Sequence, residues 1–203
     1  MKNKIRVAGI CGSLRPGSYT RMALAVALRG AADAGADTQL IDLNEYRLPF
    51  CDGGDTVPDD VLRLRADVQG AQGVILATPE YHGGYSGVLK NALDWMGFTE
   101  VEGKMIGLIG VSGGALGGFA ALNSLREVGR ALHAWVVPEQ ASVPAAYQVF
   151  DPAGNCQNVD IAKRLHGVGR QVAKFASLHN SAAYREFFQL WEAARDNPGG
   201  EDR

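Results

Sequence analysis

Short apolar runs alternate with amphipathic segments along most of the chain. The apolar runs are rich in β-branched residues and predict strands that are buried on both faces. The segments between them have the periodicity of helices with one buried side. The pattern predicts strands near 5–10, 38–43, 73–78, 104–111 and 134–137, and helices near 20–34, 58–69, 85–96, 116–132, 161–178 and 183–194.

The remaining long segments, 44–57 and 138–158, contain prolines and are predicted to be connections, with Pro138 ending the last strand. Strands that alternate with helices imply a parallel sheet with right-handed crossovers and helices on both faces. The fold class is therefore α/β.

Three polar, glycine-containing loops follow the ends of predicted strands, at residues 12–20, 79–84 and 112–115. In an open parallel sheet, ligands bind beyond the carboxyl ends of the strands. We therefore expect these loops to meet at one edge and to form a binding site together.

The first loop has the composition of an anion site. Ser13, Ser18 and Thr20 supply hydroxyl donors, Arg15 supplies a guanidinium, and the helix that follows presents free N–H groups at its start. The alternative is an ordinary turn in which Ser18 only caps the helix. The spacing required for a nucleoside-triphosphate loop or a GxGxxG dinucleotide loop is absent from the sequence.

The second loop, Pro79-Glu80-Tyr81-His82-Gly83-Gly84, and the third, Ser112-Gly113-Gly114-Ala115, suit close approach to a flat ring because glycine lets backbone come near a ligand. Alternatively, the second loop is a helix entry with Tyr81 packed on the core, and the third is a simple tight turn. A phosphate loop beside two ring loops describes a bound mononucleotide, and FMN fits best.

Composition narrows the function further. The chain has 203 residues, a formal net charge of −2, three cysteines without CxxC spacing and four histidines without ligand spacing. We expect one domain over residues 1–195 with a disordered tail at 196–203, no metal, no nucleic-acid partner and no disulfide framework. Cys11 is expected to be a small buried residue. No apolar run is long enough to span a bilayer and no signal peptide precedes the first strand, so we expect no membrane partner and a cytoplasmic location.

The segments GSLRPGSYTR, TPEYHGGYSGVLKNALDW and VSGG resemble the three signatures of the NADPH-dependent FMN reductase family, over about residues 5–137. The resemblance implies a flavodoxin-like three-layer sandwich with a five-stranded parallel sheet in the order 2-1-3-4-5. It also implies a homodimer or homotetramer. The implied FMN-binding residues are Ser13, Arg15, Ser18, Tyr19 and Thr20 at the phosphate, and Pro79, Glu80, Tyr81, His82, Gly83, Ser112, Gly113 and Gly114 around the ring and ribityl.

The implied reaction is ping-pong transfer of two electrons from NADPH or NADH, through FMN, to a quinone or similar small acceptor, with no catalytic side chain. A flavin reductase that supplies reduced FMN to a partner enzyme, an electron-carrier flavodoxin and a flavin-free scaffold are the alternatives. Family members often have Asn where Thr20 and His82 stand, so His82 is a candidate proton-transfer group. Lys90 and Asp94 are expected to form a surface ion pair, whereas Trp95, Met96 and Phe98 are expected in the core or an interface.

Overall fold

The structure is a computed structural model that describes residues 4–54 and 56–193. The strands are β1 (Arg6–Cys11), β2 (Asp37–Asp42), β3 (Gly73–Tyr81), β4 (Gly84–Tyr85), β5 (Met105–Val111) and β6 (Trp135–Val143). Five of them form a parallel sheet in the order β2-β1-β3-β5-β6, and β4 pairs with the end of β3 as an antiparallel hairpin. The five parallel strands thus have the expected 2-1-3-4-5 order, which confirms the flavodoxin-like prediction.

Helices cover both faces of this sheet. They are α1 (Tyr19–Asp33), α2 (Asp59–Gln69), α3 (Gly87–Asp94), α4 (Phe98–Val101), α5 (Phe119–Ala131), α6 (Ala146–Val149), α7 (Val159–His179) and α8 (Ala182–Glu192). Alternate residues of β1 serve the two faces, as the period of a strand requires. Val7 and Cys11 pack with α1 and α7, whereas Ala8 and Ile10 pack with α2, α3 and α5.

Two glycines let α1 and α7 approach closely on their shared face. A Cβ atom added to Gly30 would overlap the carbonyl of His166, and one added to Gly169 would overlap the carbonyl of Ala27. The two helix backbones are therefore too close to leave room for a side chain at either position. The contact fixes where α1 begins over the sheet, and therefore where the first loop lies.

The prediction that Pro138 ends the last strand is wrong, because β6 continues to Val143. Pro138 is tolerated for two reasons. β6 is an edge strand, and its pairing with β5 slips between Ile106 and Leu108, so that three residues of β6 face one of β5. The guanidinium of Arg126 on α5 donates to the Val137 and Pro138 carbonyls at 3.2 and 3.0 Å, and so provides donors for carbonyl groups of this bulge. The predicted connection 138–158 therefore contains strand residues and α6.

Other boundaries also shift. β3 runs on through Tyr81 and β4 begins at Gly84, so only His82 and Gly83 of the predicted loop 79–84 lie outside strands. α3 covers only the middle of the predicted helix 85–96. α5 starts at Phe119 and not directly after residue 115 as predicted, because Gly117 and Gly118 take left-handed conformations. The predicted disordered tail, 196–203, lies outside the described residues.

Several side-chain predictions can be checked directly. Cys11 is fully buried, and Lys90 and Asp94 form an ion pair of 2.5 Å on the surface of α3. Trp95 and Met96 are buried, but Phe98 is 53% exposed and stacks on His133 with 4.4 Å between ring centroids. Phe98 is therefore not a core residue of the protomer, and its predicted alternative, a place in an interface, stays a prediction. Across the described ranges, no helix combines the length and the apolar character that crossing a membrane requires.

Candidate functional site

The three predicted loops do meet at one edge of the sheet, which we call the carboxyl edge. Cys11 pairs in register with Ala77, and Pro79 pairs with Val111, which pairs in turn with Val143. Neighbouring strands are about 4.8 Å apart, so the ends of β1, β3, β5 and β6 span roughly 15 Å. The loops that follow them form a continuous row along this edge.

The first loop is held in place by its own backbone and by the start of α1. The N–H of Gly12 donates to the Ala77 carbonyl at 2.8 Å, which ties the loop to β3. Ser18 is the N-cap of α1, and its hydroxyl oxygen accepts from the Arg21 N–H at 3.3 Å. Ser13 and Thr20 are also buried. Two of the predicted phosphate ligands, Ser18 and Thr20, thus lie at the start of α1, and Ser13 is buried in the loop before it.

This turn is electrostatically suited to an anion. Within the described chain, the N–H groups of Tyr19 and Thr20 have no backbone acceptor, as is normal at a helix start. The first turn of α1 itself contains no carboxylate, and the neighbouring Asp42 carboxylate is paired with Arg21. Arg15 is exposed at the tip of the loop. Tyr19 stacks on Phe150, with centroids 6.2 Å apart, and so anchors the helix start on its outer side.

The second loop is a hairpin rather than a helix entry. Glu80 pairs with Tyr85, and Tyr81 pairs with Gly84, so that His82 and Gly83 are the two central residues of the turn. Their φ angles of 52° and 76° are both positive, as a type I′ turn requires. Tyr81 is 55% exposed and lies at the surface, not in the core.

Glu80 connects the second loop to α5. Its carboxylate accepts a hydrogen bond from the Ala121 N–H at 3.0 Å, in the first turn of that helix. A carboxylate at this position satisfies a free donor and interacts favourably with the helix dipole. Glu80 therefore has a positioning role at the carboxyl edge, where it joins the end of β3 to the start of α5.

The third loop is braced by residues that follow β6. The Ser112 hydroxyl donates to the Gly114 carbonyl at 3.0 Å. The Ala145 and Ala146 N–H groups donate to the carbonyls of Gly114 and Ser112, both at 3.0 Å. Ala145 has a positive φ of 42°, which turns the chain back toward the site. This fourth segment was missed from the sequence because the last strand was predicted to end too early.

Ser86 and Thr78 are two further site residues that sequence reasoning missed. Buried Ser86 donates its hydroxyl to the Gly12 carbonyl at 2.6 Å and accepts from the Leu89 N–H at 3.2 Å. Its own N–H donates to the Thr78 hydroxyl at 2.9 Å. Ser86 thus joins the first loop, the end of β3 and the start of α3. The only sequence signal for this role was a serine placed where α3 begins.

An apolar cavity of about 460 Å³ opens beside the first two loops. We call it the edge groove, and its lining includes Leu14, Tyr46, Phe50, Tyr81 and Val88. The segment that carries Phe50 is fastened to α3, because Asn91 and Trp95 both donate to the Pro49 carbonyl, at 2.9 and 2.8 Å. Phe50 is nevertheless 87% exposed. A larger depression of about 870 Å³ lies along α7, and no residue of the three loops lines it.

The ionisable groups near the site do not form a catalytic cluster. Burial raises the pKa of the Cys11 thiol, which keeps it neutral and unreactive. The Asp42 carboxylate is buried at the end of β2 and pairs with Arg21 on α1. No group of three metal-ligating side chains occurs within residues 4–54 and 56–193.

Comparison with known proteins gives a consistent result. The family model described as NADPH-dependent FMN reductase matches residues 5–148. The chain is 31% identical over 179 residues to the NADPH-dependent FMN reductase ArsH of Shigella flexneri, covering 86% of this chain and 69% of that protein. It is 31% identical over 178 residues to the NAD(P)H:quinone oxidoreductase of Solanum tuberosum, covering 81% and 89%.

Among solved structures, the NAD(P)H:(acceptor) oxidoreductase FerB of Paracoccus denitrificans superposes with a TM-score of 0.68 at 26% identity. This match covers 86% of this chain and 98% of FerB. The sequence and structural matches therefore extend over the loops at the carboxyl edge and most of the sheet.

Proposed function

The chain belongs to the NADPH-dependent FMN reductase family, and on that premise we propose that it passes two electrons from NAD(P)H, through bound FMN, to a quinone or similar small acceptor. Family membership makes FMN the cofactor and NAD(P)H the co-substrate. The relatives named as quinone oxidoreductase and azoreductase support acceptors with an extended conjugated system.

The observation that carries the proposal is the donor set at the start of α1. Ser18, Thr20 and the free N–H groups of Tyr19 and Thr20 lie at one helix terminus, whose own first turn contains no carboxylate, and buried Ser13 adds a hydroxyl in the loop that leads to it. This set fits a phosphate monoester, which is the charged end of FMN. Arg15 adds a charge that folding does not use, because its side chain is exposed at the tip of the loop.

The other two loops fit the remainder of the cofactor. A Cβ added to Gly83 or Gly113 would meet no atom within 4 Å, so open space lies beside the backbone in both loops. We assign the flavin ring and ribityl to this space, against Pro79, Tyr81, His82, Ser112 and Gly114. Glu80 acts by holding α5 in place.

The chemistry that FMN supplies when bound is hydride acceptance from NAD(P)H followed by two-electron transfer to the acceptor, in ping-pong order. The three loops would hold and orient FMN, and backbone N–H groups of the third loop would favour negative charge on its ring. We assign no catalytic side chain, because the neutral Cys11 thiol offers no nucleophile and the proposed transfer needs none.

We also propose that a second copy of the chain covers the edge groove. Phe50 is almost fully exposed, and the two hydrogen bonds to the neighbouring Pro49 carbonyl keep it there. An exposed phenylalanine is unfavourable in water, and contact with a partner would bury it. The groove adjoins the ring loops, so the covering copy would help to enclose the site. We place the reaction in the cytoplasm, since all three cysteines are free thiols, as a reducing compartment favours.

The experiment is to record the visible spectrum of the purified protein with FMN, and then to titrate it anaerobically with NADPH and with NADH. The proposal requires tight FMN retention, bleaching of the flavin band and steady-state oxidation of NAD(P)H by a quinone. A carrier flavodoxin would bind FMN but would not oxidise NAD(P)H. A protein indifferent to FMN would be a scaffold, and one that releases reduced FMN during gel filtration would be a flavin donor.

A further inference from the structure

A second unexplained surface lies at the opposite edge of the sheet, around the C-terminal helix α8. Aromatic side chains form an unbroken series there, which we call the aromatic ladder: Trp135, His179, Tyr184, Phe188 and Trp191. Successive ring centroids are 4.2 to 6.1 Å apart, so each ring touches the next. The Tyr184 hydroxyl also hydrogen-bonds the His179 ring at 2.9 Å.

The ladder does not bury α8. Tyr184, Phe188 and Trp191 follow one another at helical spacing on the side that meets His179. A second stripe at the same spacing, Ala183, Phe187 and Leu190, is exposed, with Phe187 at 62% and Leu190 at 69%. The helix therefore has apolar side chains on two adjoining sides and uses only one of them within the protomer.

The exposed area is large enough to require a partner. Trp135, Leu178, Phe187, Phe188, Leu190 and Trp191 all remain between 39% and 69% exposed. At about 150–250 Å² for an aromatic side chain, they leave on the order of 600 Å² of apolar surface in water. That is the upper end for a patch on a monomer and close to the roughly 800 Å² that one partner contributes to a standard interface.

We propose that α8 and the aromatic ladder bind the same surface of a second copy of this chain. An identical patch on each copy can be closed by one two-fold axis, and the area matches that of a two-fold interface. This surface is separate from the edge groove, because Trp135 begins β6 at the edge opposite the loops. It also lies beyond the residues 5–148 that the family model matches, apart from Trp135.

Charge and sequence argue against two other occupants of this surface, a membrane and the C-terminal segment of the chain itself. A helix that lies on an anionic membrane carries an excess of Lys and Arg on its polar side, whereas residues 182–191 contain one Arg and one Glu. Residues 194–203, ARDNPGGEDR, contain no large apolar side chain that could cover the stripe. Two copies of the apolar stripe can bury each other without basic residues and without a covering segment.

With the edge groove, the chain would then have two different self-complementary surfaces. Two such surfaces close a tetramer with D2 symmetry when their two-fold axes are perpendicular and intersect, whereas the ladder alone closes a dimer. In either case, loss of the ladder contact halves the mass of the assembly. The inference about α8 can thus be tested whether or not the edge groove binds a second copy.

The test is sedimentation velocity of the full chain saturated with FMN, comparing wild type with the double variant Phe187→Glu/Leu190→Glu. Both side chains are exposed in the protomer, so charge there should leave the fold intact and disrupt only an interface. The matched control is Leu62→Glu on α2, another half-exposed leucine far from α8. We expect the double variant to have half the wild-type mass, with wild-type FMN content, while the control keeps the wild-type mass.

A milder variant, Ala183→Glu, should shift the same dissociation equilibrium and covers the case in which the double variant fails to fold. Flotation with phosphatidylcholine and phosphatidylglycerol vesicles provides the complementary measurement, and we expect no vesicle binding. The inference is overturned if the double variant and Ala183→Glu both keep the wild-type mass, if wild type is a monomer at micromolar concentration, or if wild type floats with the vesicles and the double variant does not.

Discussion

Arg15→Ala tests the phosphate assignment with little risk to the fold. The Arg15 guanidinium is exposed at the tip of the first loop and makes no hydrogen bond or ion pair to any described residue. Removing it should therefore leave the free energy of unfolding within about 0.5 kcal/mol of wild type. Any effect on FMN then reports on the ligand itself.

The expected magnitude follows from the kind of contact. A hydrogen bond to a charged group contributes about 1.5–3 kcal/mol, and each 1.4 kcal/mol is a factor of ten in affinity. The Kd for FMN should rise about 10- to 150-fold. Riboflavin lacks the phosphate, so its Kd should not change, and Arg15→Lys should keep part of the FMN affinity because a point charge remains.

The assay is fluorescence titration of the apoprotein with FMN and with riboflavin at low and high salt. Arg29→Ala is the matched control, since Arg29 is exposed on the same helix but several turns from the loop. Its FMN affinity should equal that of wild type. The reasoning is refuted if Arg15→Ala binds FMN within two-fold of wild type, or if riboflavin loses as much affinity as FMN.

Other residues give independent predictions. Ser86→Ala removes the cap of α3 and leaves the buried Gly12 carbonyl unpaired, so it should destabilise the protein by about 2–4 kcal/mol and lower Tm by about 5–15 °C. The control Ser124→Ala, on the surface of α5, should change Tm by little. An unchanged Tm for Ser86→Ala would show that the link between the loops is unimportant. Burial raises the pKa of Cys11 by disfavouring its thiolate, so at pH 8 a thiol reagent should modify only Cys51 and Cys156 in the native protein, and equal labelling of all three thiols would contradict this. His82 occupies a left-handed turn position, so His82→Asn should keep the wild-type free energy of unfolding and His82→Ala should lower it by about 1 kcal/mol. Both variants should have the wild-type pH–rate profile. Loss of a pKa from that profile would instead assign a proton-transfer role to the imidazole.

The parts of the fold that sequence predicts well are those set by local signals. β1, the first loop and α1 were all found because a buried run, a capping serine and an apolar helical stripe follow one another within thirty residues. The close packing that seats α1 was not predictable in the same way. It depends on Gly30 and Gly169, which come together only when α1 and α7 pack on the same face of the sheet.

The errors share a common physical cause, which is stabilisation from distant parts of the chain. Pro138 ends a strand by every local rule, yet an edge position, a bulge and the Arg126 guanidinium together allow β6 to continue. Ser86 appears in the sequence as a helix cap, but its bond to Gly12 joins two loops. The three predicted loops do lie at one edge of the sheet, but the bonds that hold them together were not predicted.

The central claim is that the first turn of α1 binds the phosphate of FMN while the second and third loops enclose its ring. A crystal structure of the protein soaked with FMN tests it most directly. The account predicts phosphate density within hydrogen-bond distance of the Ser18 and Thr20 hydroxyls, with the flavin ring between the hairpin turn at His82 and the loop at Gly113. Ligand density at another place, or none at saturating FMN, would contradict it.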